Sequence, residues 1–195
     1  MNIILEEFSN SYEILKEDID KGARVYKIRG IMGRANYPNK NKRVYPISVI
    51  KESIDEVQEL IKGNRFLGEL DHPNSPKINM DKISHKITNL FLSEDGSIIG
   101  EMIPAGPNKN LLISLIEDGI GFGVSTRGTG TVRPYNGPLG EGLMEVVPGY
   151  KLRAIDIVHE PSASAFPNVI RENTEDNMFF VPSSFKSVFN EVFHK

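Results

Sequence analysis

The chain contains four histidines and no cysteine, so thiol catalysis, disulfide scaffolding and cysteine-ligated zinc are excluded together. Among the remaining nucleophiles, Ser125 stands out by its surroundings. Gly119 is followed by Gly121, Gly123, Gly128 and Gly130, a density that calls for close backbone approach or positive φ angles. A serine hydroxyl is a poor nucleophile at neutral pH and needs an adjacent base, itself oriented by a third group. Backbone N–H groups in such a segment could also point at a developing oxyanion. Two familiar motifs are excluded: G-x-S-x-G fails because Arg127 occupies its last position, and G-x-G-x-x-G fails because Thr126 does. The plain alternative is a glycine-rich turn with an incidental serine.

His194 lies near the C-terminus and His159 beside a loop, which leaves His72 and His85 as candidates for a base. His72 sits between Asp71 and Pro73 where a short strand runs into the loop GELDHPNSP, an exposed and rigid place suited to function. His85 falls on the apolar face of a strand and reads as a core residue. Glu69, Asp71 and His72 could together hold a divalent cation through oxygen and nitrogen donors. With no second histidine at helical or strand spacing, an acidic strand terminus is the simpler reading.

These residues need elements to position them. Val25, Ile28 and Ile31 mark a strand over 23–33, followed by the turn-rich, basic NYPNKNKRVYP. Ile50, Ile54, Val57 and Ile61 recur at helical spacing between Pro46 and Gly63. Residues 83–87 alternate, and 97–105 forms the antiparallel partner across Glu94-Asp95-Gly96. A second helix spans Pro107 to Gly119, and Met144 to Val158 supplies one or two more strands. Beyond Glu160 the chain becomes a loop and then a wholly polar linker over 171–177. Phe185, Val188, Phe189, Val192 and Phe193 then share one face of a short helix capped by Ser183 or Ser184.

At 195 residues one domain with a tail is expected. The net charge of −3, with both signs mixed throughout, argues against a nucleic-acid partner held by a basic surface. No apolar run approaches the roughly 18 residues that span a bilayer, and acidic residues interrupt the first fifteen, unlike a signal peptide. A cytoplasmic protein with a protein partner is expected.

Three segments, NKNKRVYP, GELDHP and GVSTRG, in this order and at similar separations, resemble the prohead core proteases of tailed bacteriophages, of the T-even myovirus type. The resemblance covers about Ile28 to Pro161. It implies an α+β fold of the assemblin type, with a mostly antiparallel, β-barrel-like core and surrounding helices. It implies a catalytic pair of Ser125 and His72. Asp156, in AIDIVHEPSA, is the implied orienting acid, with His159, His85 and Glu69 open as alternatives. Backbone N–H groups near Arg127 and Gly128, and the Arg127 side chain, are the implied oxyanion support.

The function implied is a serine endopeptidase that cuts scaffold and capsid precursors inside the viral prohead, in the host cytoplasm. Its substrates would be viral scaffold or core proteins, the major capsid protein and the chain itself, with self-association into a homo-oligomer allowed. No cofactor, metal, nucleic acid or membrane is expected. Relatives cut after Leu/Ile-x-Glu, so Ile170-Arg171-Glu172 implies self-cleavage after Glu172. That cut would divide a protease domain, residues 1–170, from a linker and helix, residues 171–195. The same triplet occurs at Ile4-Leu5-Glu6 and Leu15-Lys16-Glu17. The competing readings are a non-catalytic scaffold or virion protein of the same fold, and a metal-dependent hydrolase built on Glu69, Asp71 and His72.

Overall fold

The computed structural model describes residues 2–8, 12–19, 23–71 and 73–159, with side chains from Tyr26 onward. Two strands open it, β1 (Asn2–Phe8) and β2 (Tyr12–Ile19), followed by the long β3 (Ala23–Arg34) and the two-residue β4 (Arg43–Val44). Helix α1 (Ile47–Lys62) begins directly after Pro46, whose fixed φ and missing N–H suit a helix entrance. No side chain caps it. Its stability comes instead from one buried face, Val49, Ile50, Ile54, Val57 and Ile61, each such side chain contributing about 1.5–3 kcal/mol when fully buried. Within that face Ser53 Oγ donates to Tyr150 O at 2.8 Å, fastening the helix to the strand that follows Tyr150.

After α1 come β5 (Leu67–Glu69), β6 (Ile83–Leu92), β7 (Ser97–Pro104), α2 (Lys109–Glu117), β8 (Gly123–Gly130), β9 (Val132–Pro134), β10 (Met144–Val146) and β11 (Lys151–Val158). The β6–β7 hairpin turns through Gly96 at φ 83, and α2 ends before Gly119 at φ 69, both conformations that glycine adopts without steric cost. Residues 83–87 form the expected strand, but Ser84 is as fully buried as His85, so the start of β6 is covered on both faces.

The strands form a five-stranded sheet of order β2-β3-β7-β6-β5, a three-stranded sheet β1-β8-β11 and a small sheet β4-β10-β9. All pairings are antiparallel except β4 with β10. The fold is therefore α+β and mostly antiparallel, as expected. The strands are divided among these sheets, and no closed barrel forms among the described residues. A bridge between Leu70 and Ile157 links the end of β5 to β11, so the two larger sheets meet where GELDHP begins. Ile28, Met32, Ile87, Leu90, Met102, Val124 and Ile155 lie in the common core.

The glycine-rich segment differs from expectation in one respect. Gly123–Gly130 is a strand, and of the glycines from 119 to 130 only Gly119, at the end of α2, has a positive φ. The close-approach reason holds: a Cβ at Gly128 would overlap the ring and hydroxyl of Tyr150, which is 2% exposed and meets Tyr45 edge-on at 5.3 Å between centroids. Gly128→Ala is expected to cost about 1–3 kcal/mol through overpacking, read as a lower urea midpoint; an unchanged midpoint would show that Tyr150 does not need this space.

Candidate functional site

Strand alternation places Ser125 and Arg127 on one face of β8 and Val124, Thr126 and Gly128 on the other. In the register of β11 against β8, Asp156 lies directly opposite Ser125, and directly opposite residues share a face. Ser125, Arg127 and Asp156 thus form a polar group on one side of the sheet, while Val124, Ile155 and Ile157 join the core on the other. A register shift between Leu152 and Ala154 sets this phase along β11.

Arg127 organises the group. Its side chain and those of Glu69 and Asp156 are fully buried. Nη2 donates to Asp156 Oδ1 at 3.0 Å and to Glu69 Oε1 at 3.2 Å. Nε lies 2.9 Å from Asp156 Oδ2, a charge contact off the N–H axis. Nη1 donates to the main-chain oxygens of Ser75 at 2.7 Å and Lys77 at 3.3 Å. The remaining links close the network: Glu69 N donates to Asp156 Oδ1 at 3.0 Å, and Asn79 N donates to Glu69 Oε1 at 2.7 Å. One guanidinium therefore joins β8, β11, the end of β5 and the loop that follows it.

Oxyanion support by the Arg127 side chain is what the resemblance implies, and in the fold this side chain has a structural part. Its nitrogens face carboxylates and loop carbonyls, so the group acts as a structural clamp. Gly128 lies in the central strand of its sheet, paired with Ile4 on one edge and Leu152 on the other.

His72 lies outside the described residues. Its neighbour Asp71 takes a positive φ of 65 and donates its N–H to Ile157 O at 2.9 Å. The main chain just before His72 is thereby pinned to the residue after Asp156. Glu172, the linker and the C-terminal helix also lie outside the described residues. Of the two other triplets, Ile4-Leu5-Glu6 falls in β1 and Leu15-Lys16-Glu17 in β2.

His85 is a buried tie between sheets, as its place on the apolar face suggests. Its Nε2 and Ile155 O are 2.8 Å apart, and its Nδ1 lies 2.8 Å from Ser84 Oγ. A carbonyl only accepts, so Nε2 carries the hydrogen and Nδ1 accepts from Ser84. Burial pushes the imidazole down to about 4, against the opposing pull of the Ile155 carbonyl and the charge of Asp156. Gly68 is required beside it, because a Cβ there would overlap both the ring and Ile155 O. Sequence reasoning missed this use of the first residue of GELDHP, although a glycine inside a strand is itself a signal of close approach. His159 is exposed, just past β11. No group of three or more metal-ligating side chains occurs among the described residues, and Glu69 is engaged by a cation of the chain itself.

Residues 12–178 match the family described as prohead core protein serine protease. The chain belongs to that family. It is 33% identical over 143 residues to the prohead core protein protease of Enterobacteria phage T4, covering 70% of this chain and 64% of the relative. The chain thus spans just under two thirds of that relative's length. The solved structure of the bacteriophage T4 capsid assembly protease, gp21, superposes with a TM-score of 0.71 at 25% identity, covering 80% of this chain and 97% of that one. The residues that carried the resemblance, from Ile28 to Pro161, lie within the matched stretch.

The buried imidazole gives a pH prediction. In the unfolded chain His85 protonates near 6.5 and in the folded chain only near 4, so between these values the unfolded state binds more protons. The stabilisation is complete above pH 6.5 and is lost as pH falls towards 4, amounting to about 3 kcal/mol. Denaturant unfolding of wild type beside His85→Asn from pH 7 to pH 4 should show a steeper loss for the wild type. Parallel curves would contradict a neutral buried histidine.

Proposed function

We propose that the chain is a serine endopeptidase of capsid maturation, with Ser125 as nucleophile, His72 as general base and Asp156 as the orienting acid. The observation that carries this reading is the convergence on one face of Ser125, Asp156 and the start of the GELDHP loop, tied together by Arg127.

His72 takes the proton from Ser125 Oγ as the oxygen attacks the scissile carbonyl carbon. The tetrahedral intermediate collapses with loss of the amine, which His72 protonates. Water, deprotonated by His72, then attacks the acyl-serine and regenerates the hydroxyl. Two buried carboxylates against one guanidinium leave a net negative charge beside Ser125. That charge favours the imidazolium formed in each step, since opposite charges interact strongly where water is excluded. Backbone N–H groups near Arg127 and Gly128 are the proposed oxyanion donors.

The proposed substrates are scaffold or core proteins and the major capsid protein, cut inside the prohead within the host cell. The chain is also proposed to cut itself after Glu172, releasing residues 173–195, and to work without a cofactor. Assembly into a homo-oligomer belongs to the same reading.

The test is intact mass of wild type and Ser125→Ala after incubation with a peptide containing an Ile-x-Glu site. Wild type should cut the peptide and shorten itself, and the variant should lose at least about a thousandfold in rate. A chelator should leave the wild type unaffected. Cleavage by a folded Ser125→Ala variant, abolished by the chelator, would instead favour a metal-dependent hydrolase on Glu69, Asp71 and His72.

A further inference from the structure

Among the described residues, Asn36, Lys42, Asn64 and Asp71 combine a side chain with a positive φ. Three of them occupy ordinary turns, Asn36 and Lys42 between β3 and β4 and Asn64 just past α1. Asp71, at φ 65, lies instead between β5 and the loop that carries His72. Left-handed backbone is costly for most residues, and after glycine it is borne best by asparagine and aspartate.

The strand register gives this turn a purpose. Leu70 bridges Ile157 in parallel, and Ile157 lies opposite Val124, one residue beyond the pair of Asp156 and Ser125. With an extended Asp71 the chain would run on beside β11 towards Val158 and Gly123, moving about 3.3 Å further from Ser125 with each residue. The chain doubles back instead. The main-chain oxygens of Ser75 and Lys77 reach Arg127 Nη1 at 2.7 and 3.3 Å, and Asn79 N reaches Glu69 Oε1 at 2.7 Å. The reversal begins at Asp71, whose N–H still donates to Ile157 O at 2.9 Å while its φ has left the extended range. Asp71 itself is exposed, in contrast to the buried Glu69 two residues earlier.

We propose that Asp71 is a positioning residue that acts through its main chain: its left-handed turn swings His72 back over Ser125, and its carboxylate has no part in the reaction. The proposal rests on the reading of Ser125 and His72 as nucleophile and base. Pro73 works to the same end, because a proline keeps the residue before it out of the helical region. The two neighbours of His72 together leave its main chain few conformations, so the base is set before substrate arrives. Such placement matters, since an error of about 1 Å can cost about a hundredfold in rate.

The test compares Asp71→Asn, Asp71→Gly and Asp71→Val in the full chain. Asparagine tolerates the left-handed turn, glycine adopts it freely, and a β-branched valine resists it. On a peptide containing an Ile-x-Glu site, the asparagine and glycine variants should keep kcat within about threefold of wild type, and the valine variant should lose about tenfold or more in kcat with little change in KM. Asp71→Ala, which resists the turn less strongly, takes the place of Asp71→Val should the latter not fold. An asparagine variant as slow as the valine variant would assign the effect to the carboxylate, and a valine variant as fast as wild type would make the turn dispensable. Either result would overturn the proposal.

A second measurement needs no turnover. The chain has no native cysteine, so His72→Cys/Ser125→Cys can be bridged by a short dithiol-reactive crosslinker. Bridging should be about tenfold or more slower with Asp71→Val than with aspartate or asparagine at this position, with the amides of β6 and β7 equally protected in all three chains. Equal bridging would overturn the proposal. If bridging follows the expected order while the wild type cuts no peptide, the turn at Asp71 stands and the serine protease reading falls.

Discussion

A guanidinium with no access to water persists in a folded protein only where carboxylates and carbonyls surround it, and Arg127 meets this condition with parts from three regions of the chain. Asp156 comes from β11, Glu69 from the end of β5, and the carbonyls of Ser75 and Lys77 from the loop beyond. Deleting one member of a buried ion pair typically costs about 3–5 kcal/mol, because the partner charge is left stranded. The network therefore resists partial assembly. Its geometric consequence is that the loop carrying His72 cannot drift from the strand carrying Ser125 without exposing or orphaning a charge.

The period of two along β8 and β11 turns this constraint into a site. One face of β8 supplies the polar group, and the other supplies Val124 and the glycine against which Tyr150 packs. A slip of one residue would bury Arg127 in the apolar core and turn Val124 towards the carboxylates, so register is specified from both sides. The His85 bond to Ile155 O and the bridge between Leu70 and Ile157 fix β11 against the other sheet at the two residues flanking Asp156.

Much of this was legible in the sequence. The period of Ile50, Ile54, Val57 and Ile61 marked α1, and the alternation after Ile83 marked β6 and the core place of His85. The segments GELDHP and GVSTRG marked the family and hence the candidate pair. The strand nature of 123–130 was hidden, because glycines weaken a strand locally and the need for Gly128 comes only from Tyr150, far along the chain. The role of Arg127 was hidden for a related reason: arginine is seldom fully buried, and its partners come from distant segments. β1 and β2 were missed because their mixed acidic and apolar residues lack a regular alternation, so tertiary pairing decides their conformation.

The clamp is tested most directly by hydrogen exchange together with turnover in Arg127→Lys, since an ammonium cannot reproduce the planar fork that spans two carboxylates and two carbonyls. The clamp role predicts lost amide protection over residues 71–79, with β6 and β7 still protected, and a fall in peptide turnover of about a hundredfold or more. Unchanged protection of that loop with wild-type turnover would contradict it, and would mean that the histidine loop is held against Ser125 by something other than Arg127.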